Sequence, residues 1–315
     1  MKIVTNNLSS ENLDRVRQIA PHIDFVVTTE AEETLREIED ADAFWGYGIT
    51  PEFVRQASKL RWVQVNYVGI EALMFSELVN SDIILTNARG TTGINIAEHV
   101  MALILAFTRT LHLTIKRQME KVWEIRPNLP VMEIAGETIG ILGLGGIGLQ
   151  VAKRANAFDM LVLAIDPVLT EKPEYVEGLW EPDQLHRMLQ QSDFVVVCCP
   201  LTPQTKGIIG ETEFRMMKET AFFINIARGE IVDQLALITA LQTKEISGAG
   251  LDVTEPEPLP ENNPLWEMEN VIITPHHAGQ SPKSASRIFH VLCENLKRFV
   301  TNQPLISVVD KTQWF

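Results

Sequence analysis

Two open, doubly wound parallel sheets, one inserted in the other, are the architecture this α/β chain predicts, and three observations carry the expectation. Short β-rich runs alternate with helical patterns over the first ninety residues, and the alternation restarts at residue 138. Gly143, Gly145 and Gly148 stand directly after the first apolar run of that second series. Strands that alternate with helices demand a parallel sheet wrapped by those helices.

In order, the first series predicts strands over 3–5, 25–28, 43–47, 62–66 and 83–86, with helices over 10–20, 30–38, 51–57 and 70–80. Thr50-Pro51-Glu52 is a helix start, with the threonine as cap and proline in the first helical position. A long apolar helix is expected over 96–115; Glu98, His99 and Arg109 interrupt it, which marks a buried helix rather than a membrane span. The second series predicts strands over 138–142, 161–165, 194–198, 221–225, 248–252 and 271–274, the six-strand count of a Rossmann sheet. The helix over 282–301 follows the sixth strand and has no strand of its own to serve, so it is expected to return to the first unit. This predicts a flavodoxin-like substrate (catalytic) domain from 1–97 and 284–315, and a dinucleotide-binding Rossmann domain over 98–283.

With 315 residues, 45% of them apolar and 22% charged, the chain has the size and composition of a soluble protein with two cores. A formal charge of −14 argues against nucleic-acid and anionic-membrane partners, whose phosphates its field would repel. An anionic substrate must then be met by locally placed cations. Cys198, Cys199 and Cys293 form no disulfide framework and have no metal-ligand spacing, so reduced core thiols and no metal are expected. Residues 1–6 read as a strand and not as a signal segment, and a cytoplasmic location is expected.

Chemistry is expected where the strands of the second unit end. Gly143-Leu144-Gly145-Gly146-Ile147-Gly148 has a strand before it, a helical pattern over 149–158 after it, and Asp166 18 positions beyond Gly148. Glycines allow a tight turn and close approach of a pyrophosphate to backbone N–H groups at a helix start. An acid at the end of the second strand accepts both ribose hydroxyls and repels a 2′-phosphate, so NAD is expected. No arginine stands at 167–169 and Lys172 is the nearest cation. The alternative reading of Asp166 is a simple turn cap.

Beyond the later strands come Pro200, the run Ala227-Arg228-Gly229, the run from Asp252 to Glu257, and His276-His277. An arginine, a glutamate and a histidine thus arrive at one rim from three consecutive strands. A guanidinium fork can hold a carboxylate and a neighbouring carbonyl oxygen together. Imidazole is the side chain that titrates near neutral pH, and a carboxylate paired with it favours the imidazolium and keeps a proton available. Each has a plainer alternative: a surface charge for Arg228, a structural role for His276, an exposed loop acid for Glu257.

The segments at 136–148, 223–233, 248–258 and 273–279 (GETIGILGLGGIG, FINIARGEIVD, GAGLDVTEPEP and ITPHHAG) make the chain resemble the D-isomer-specific 2-hydroxyacid dehydrogenase family over essentially its whole length. The resemblance implies that Arg228 orients the substrate, His276 donates the proton, Glu257 is its partner and Asp252 contacts the nicotinamide carboxamide. It also implies that Gly143, Gly145, Gly146, Ile147, Gly148, Asp166, Pro200 and Ala227 line the cofactor. Val68 and Gly69, after Tyr67, resemble the loop whose N–H groups bind the substrate carboxylate together with Arg228 and His276; Glu98 and His99 read as helix and packing residues. Two departures stand out, the first bearing on the cofactor and the second on the substrate. Cys198-Cys199-Pro200 stands where many relatives carry a histidine near the adenine, and Phe44-Trp45-Gly46-Tyr47-Gly48 stands where phosphoglycerate-specific relatives carry an Arg-Ser clamp. No regulatory domain is expected after residue 315.

The resemblance therefore implies reversible, NAD-dependent reduction of an unphosphorylated 2-keto acid, such as glyoxylate, hydroxypyruvate or pyruvate, to the D-2-hydroxy acid. A homodimer is expected through helix 96–115, with residues 118–131 as an arm to the partner. The alternatives are a dinucleotide-sensing, corepressor-like binding protein and phosphoglycerate dehydrogenase-like activity. Formate dehydrogenase is disfavoured, because Glu257 stands where that branch carries Gln.

Overall fold

The computed structural model describes residues 1–123, 130–168 and 171–314. The chain divides into two units, Met1–Thr91 with Ser281–Phe315, and Thr92–Gln280.

In the first unit β1 (Lys2–Thr5), α1 (Ser10–Ile19), β2 (Asp24–Val27), α2 (Ala31–Glu37), β3 (Ala43–Trp45), α3 (Pro51–Gln56), β4 (Trp62–Gln64), α4 (Ser76–Val79) and β5 (Ile84–Thr86) follow in order. The five strands form one parallel sheet in the order β2-β1-β3-β4-β5. Thr50 caps α3 as its sequence predicts, its hydroxyl accepting from Phe53 N at 3.2 Å. The helix expected over 70–80 is instead a 3₁₀ turn, Glu71–Leu73, and the short α4. Phe75 between them is extended (φ −84°, ψ 156°) and breaks the run.

The second unit opens with α5 (Gly93–Thr108) and α6 (Leu111–Met119). The single helix expected over 96–115 is therefore two, bent by 68°. The break sits at Arg109-Thr110, where Thr110 takes a left-handed backbone (φ 52°) that no α-helix continues. Nine residues of α5 are buried, whereas α6 buries none. Among the described residues, no single helix is long and apolar enough to cross a membrane.

There follow β6 (Thr138–Leu142), α7 (Gly148–Ala157), β7 (Leu161–Ile165), β8 (Gly178–Trp180), α8 (Leu185–Gln191), β9 (Phe194–Val197), α9 (Glu211–Met216), β10 (Phe222–Asn225), α10 (Gln234–Thr243), β11 (Gly248–Leu251) and β12 (Val271–Ile273). The sheet has seven parallel strands, β12-β11-β10-β9-β6-β7-β8, not the six expected. The missed strand, β8, is three residues long, too short to show a period. Strand order reverses between β6 and β9, the switch point at which such sheets bind nucleotides. The last helix, α11 (Pro282–Val300), is capped by Ser281 and belongs to the first unit, where Leu292, Cys293 and Leu296 join a core with Ile3, Val16, Trp45 and Trp62.

Candidate active site

The glycine-rich loop joins β6 to α7, and steric necessity is different at each glycine. A Cβ on Gly143, which has φ +96°, would lie 2.6 Å from Cys199 N, and one on Gly148 would lie 2.1 Å from the Gly143 carbonyl oxygen. Neither position admits a side chain. Gly145, by contrast, has nothing within 4 Å of such a Cβ, so its bare backbone fronts open space, as close approach of a pyrophosphate requires. Gly146 is exposed and Ile147 precedes the first residue of α7. Asp166 ends β7 beside this loop: Oδ2 accepts from Leu144 N at 2.8 Å and Oδ1 from Val168 N at 2.9 Å. The donor-lined loop, the open face at Gly145 and the carboxylate beside them fit a dinucleotide. Pro200 is exposed after β9, its carbonyl accepting from the Thr205 hydroxyl at 2.7 Å. Burial pushes the Cys198 thiol up, and pushes that of Cys199 up to about 12, so neither is an acid-base group at neutral pH.

Strands β10 and β11 are paired neighbours, and their loops are locked together. In the β10 loop, Ala227 N donates to Asn225 Oδ1 at 3.0 Å and Asn225 Nδ2 donates to Arg228 O at 2.8 Å. Arg228 is half-buried, and its Nη1 donates to the Ala227 carbonyl at 2.6 Å. In the β11 loop, Gln234 grips the backbone of Glu255 from both sides: Nε2 donates to Glu255 O at 2.6 Å and Oε1 accepts from Glu255 N at 3.1 Å. Glu257 Oε1 accepts from Thr254 N at 3.2 Å, which leaves Oε2 to meet His276 Nδ1 at 2.8 Å. The structure thus brings together Glu257 and His276, 19 positions apart in the chain. His276 is 47% and Glu257 38% exposed in their side chains, so the pair faces a solvent-accessible rim rather than a core.

Asp252 differs from its neighbours in being only 2% exposed. Oδ1 accepts from the Thr274 hydroxyl at 2.6 Å and from His277 N at 3.1 Å, and Oδ2 accepts from Ala278 N at 3.0 Å. Its carboxylate is turned into the 274–278 turn. Sequence reasoning missed three contributors to this network. His99 Nε2 lies 3.0 Å from Thr274 Oγ1, Asn95 Nδ2 donates to Ala278 O at 2.8 Å, and Thr274 itself links His99 to Asp252. The available signal was Asn95 and His99 four apart, one polar face on an otherwise apolar helix.

Val68 and Gly69 lie in the first unit, after β4. The Tyr67 carbonyl accepts from Ala88 N at 3.0 Å and the Val68 carbonyl from Asn87 Nδ2 at 2.8 Å, which anchors this loop to the one after β5. Tyr67 stacks on Tyr47 with ring centroids 5.6 Å apart, and burial pushes its hydroxyl up to about 12, so it stays a donor.

The family model described as "D-isomer specific 2-hydroxyacid dehydrogenase, NAD binding domain" matches residues 101–278. The chain belongs to the D-isomer-specific 2-hydroxyacid dehydrogenase family. Within this family of oxidoreductases it is 36% identical to a glyoxylate reductase of Korarchaeum cryptofilum, over 87% of this chain and 86% of that one. It is 31% identical to a D-3-phosphoglycerate dehydrogenase of Methanocaldococcus jannaschii over 98% of this chain, but spans only 59% of that relative's length. The fold is that of a D-isomer-specific 2-hydroxyacid dehydrogenase from Xanthobacter autotrophicus solved with NADPH and MES. That structure has a TM-score of 0.86, 26% identity, and coverage of 100% of this chain and 99% of that one.

Proposed function

We propose that the chain reduces an unphosphorylated 2-keto acid to the D-2-hydroxy acid with NADH, reversibly. The observation that carries this reading is the 2.8 Å contact of His276 Nδ1 with Glu257 Oε2, on loops that share one rim with Arg228. When bound, a reduced nicotinamide supplies the hydride. The residues to hold the dinucleotide are Gly143, Gly145, Gly146, Ile147, Gly148 and Asp166, with Pro200 and Ala227 on the adjoining loops.

In this reading Arg228 offers a planar fork to the carboxylate and keto oxygen, and the loop at Val68 and Gly69 keeps the carboxylate-binding role that the resemblance implies for it. His276 delivers a proton from Nε2 to the keto oxygen while Glu257 holds Nδ1 and so fixes the direction of the ring. No metal is required, since the alkoxide that would need neutralising is protonated directly. Phe44 to Gly48 carry no cation for a substrate phosphate, which supports an unphosphorylated acid such as glyoxylate, hydroxypyruvate or pyruvate.

Asp166, placed beside the glycine loop, supports NADH over NADPH, although the Xanthobacter relative was solved with NADPH. A homodimer is supported by α6, whose Leu111, Ile115 and Met119 form an exposed apolar stripe at i, i+4, i+8, continued by Trp123 at 91% exposure. Residues 124–129 of the expected arm lie outside the described residues. Three free cysteines and an NADH requirement agree with a cytoplasmic setting.

The test is oxidation of NADH by a panel of unphosphorylated 2-keto acids and 3-phosphohydroxypyruvate. Turnover of the former supports the reading. Dinucleotide binding without turnover of any acid overturns it in favour of a binding protein.

A further inference from the structure

The chain from α5 to the 274–278 turn is a hydrogen-bond relay with a fixed direction. Thr274 Oγ1 lies 2.6 Å from Asp252 Oδ1, and a carboxylate only accepts, so the hydroxyl proton points at Asp252. The Thr274 oxygen must then accept from His99 Nε2, 3.0 Å away, which makes His99 the Nε2–H tautomer. Beyond Asp252, the same carboxylate takes His277 N and Ala278 N, and Asp252 O takes His276 N at 2.9 Å. Asn95, one helical turn before His99, ties down the Ala278 carbonyl.

What this network holds is a backbone that would not hold itself. His276 has φ 50°, in the left-handed region that a non-glycine residue enters at a cost. Its ring direction depends on that backbone, because the turn sets where Cβ points toward Glu257.

Burial keeps the His99 imidazole below its ordinary value; Asp252 opposes and His277 adds to that effect, so the ring is neutral at pH 7. His99, Asp252 and His277 bring ligand-capable atoms within 4.8 Å of one another. Oδ1 already accepts two protons, however, and His99 Nε2 carries one, so a hydrogen-bond network describes the group better than a cation site.

We propose that His99 and Thr274 are positioning residues, which act through Asp252 to hold the 276–278 turn and hence the orientation of His276. The kinetic consequence rests on the reductase reading; the structural one does not. Thr274→Val keeps the shape and removes the relay's central hydroxyl. It should lower kcat about 10-fold, with KM for NADH within about 2-fold, because substrate and cofactor contacts survive while the acid is misaligned. Thr274→Ser should restore kcat to within about 3-fold, and adding His99→Phe to Thr274→Val should cost nothing further, as for links of one chain.

Independently of any substrate, amide exchange at His277 and Ala278 should quicken by about 10-fold in Thr274→Val and not in Thr274→Ser. Nitrogen-15 ring shifts of His99 at pH 7 should report the Nε2–H tautomer. Unchanged exchange in Thr274→Val, a serine variant no better than valine, or an Nδ1–H tautomer overturns the proposal. If the wild type turns over no keto acid yet exchange responds as stated, the relay stands and the reductase reading falls.

Discussion

Gly229 packs so closely on Thr254 that a Cβ on it would lie 2.1 Å from the Thr254 carbonyl oxygen. A side chain at 229 would therefore force the loop that carries Arg228 away from the loop that carries Glu257. Gly229→Ala should destabilise the second unit by about 1–3 kcal/mol through that overlap. It should also lower kcat more than it weakens NADH binding, since the glycine loop is on other strands. Denaturant unfolding and NADH fluorescence titration check both; a variant with wild-type stability and turnover would show that the loops have slack.

Arg228→Lys replaces a planar fork with a point charge. Keto-acid reduction should fall by roughly 10²-fold or more while NADH affinity stays near that of the wild type. Steady-state kinetics beside direct cofactor titration make the comparison, and nearly full activity would remove Arg228 from the assigned role.

His276 and His277 are adjacent, yet only His276 is in contact with Glu257. His276→Gln should lower turnover by roughly 10²- to 10⁴-fold, the range for loss of a general acid, and Glu257→Gln should also lower it. His277→Ala should be milder, because its ring stacks edge-on against His99 at 5.4 Å and its backbone N–H survives the change. The reverse ranking, in folded and NADH-binding variants, would overturn the assignment.

Asp166 predicts a cofactor preference. A 2′-phosphate brought to about 4 Å from a carboxylate meets a repulsion of a few kcal/mol at an effective dielectric near 20, roughly a hundredfold in affinity. NADH should be preferred by about that factor in kcat/KM, and Asp166→Asn should narrow the gap. Equal efficiency with the two cofactors in the wild type would refute it.

His99 predicts a pH dependence of stability. Its folded-state value is lowered, chiefly by burial, with His277 acting in the same direction and Asp252 against it. The unfolded chain therefore binds the proton more readily, and stability full above about pH 6.5 is lost as pH falls through the lowered folded value. His99→Gln does not titrate, so the stability difference between wild type and variant should shift against the wild type between pH 7 and pH 5. Denaturant unfolding at several pH values measures it; a pH-independent difference would contradict the buried neutral ring.

The segments that hold the glycine loop, Asp166, Arg228, Glu257 and His276 were legible from sequence alone because each follows a strand, and strands announce themselves by local period and flanking glycines. Asp252 was legible as a strand-end acid, but not as one turned inward to three donors. The break at Thr110, the three-residue β8 and the interrupted run at 70–80 left too little periodic signal, since a turn of backbone conformation at one or two residues outweighs the average over many. The role of His99 was hidden for another reason: its partner Thr274 is 175 positions away. Local propensity and pattern thus determined the class of fold and the positions proposed here to carry chemistry. The packing of α5 against the second sheet decided which of them are held, and by what, because hydrogen-bond direction and burial exist only once distant segments meet.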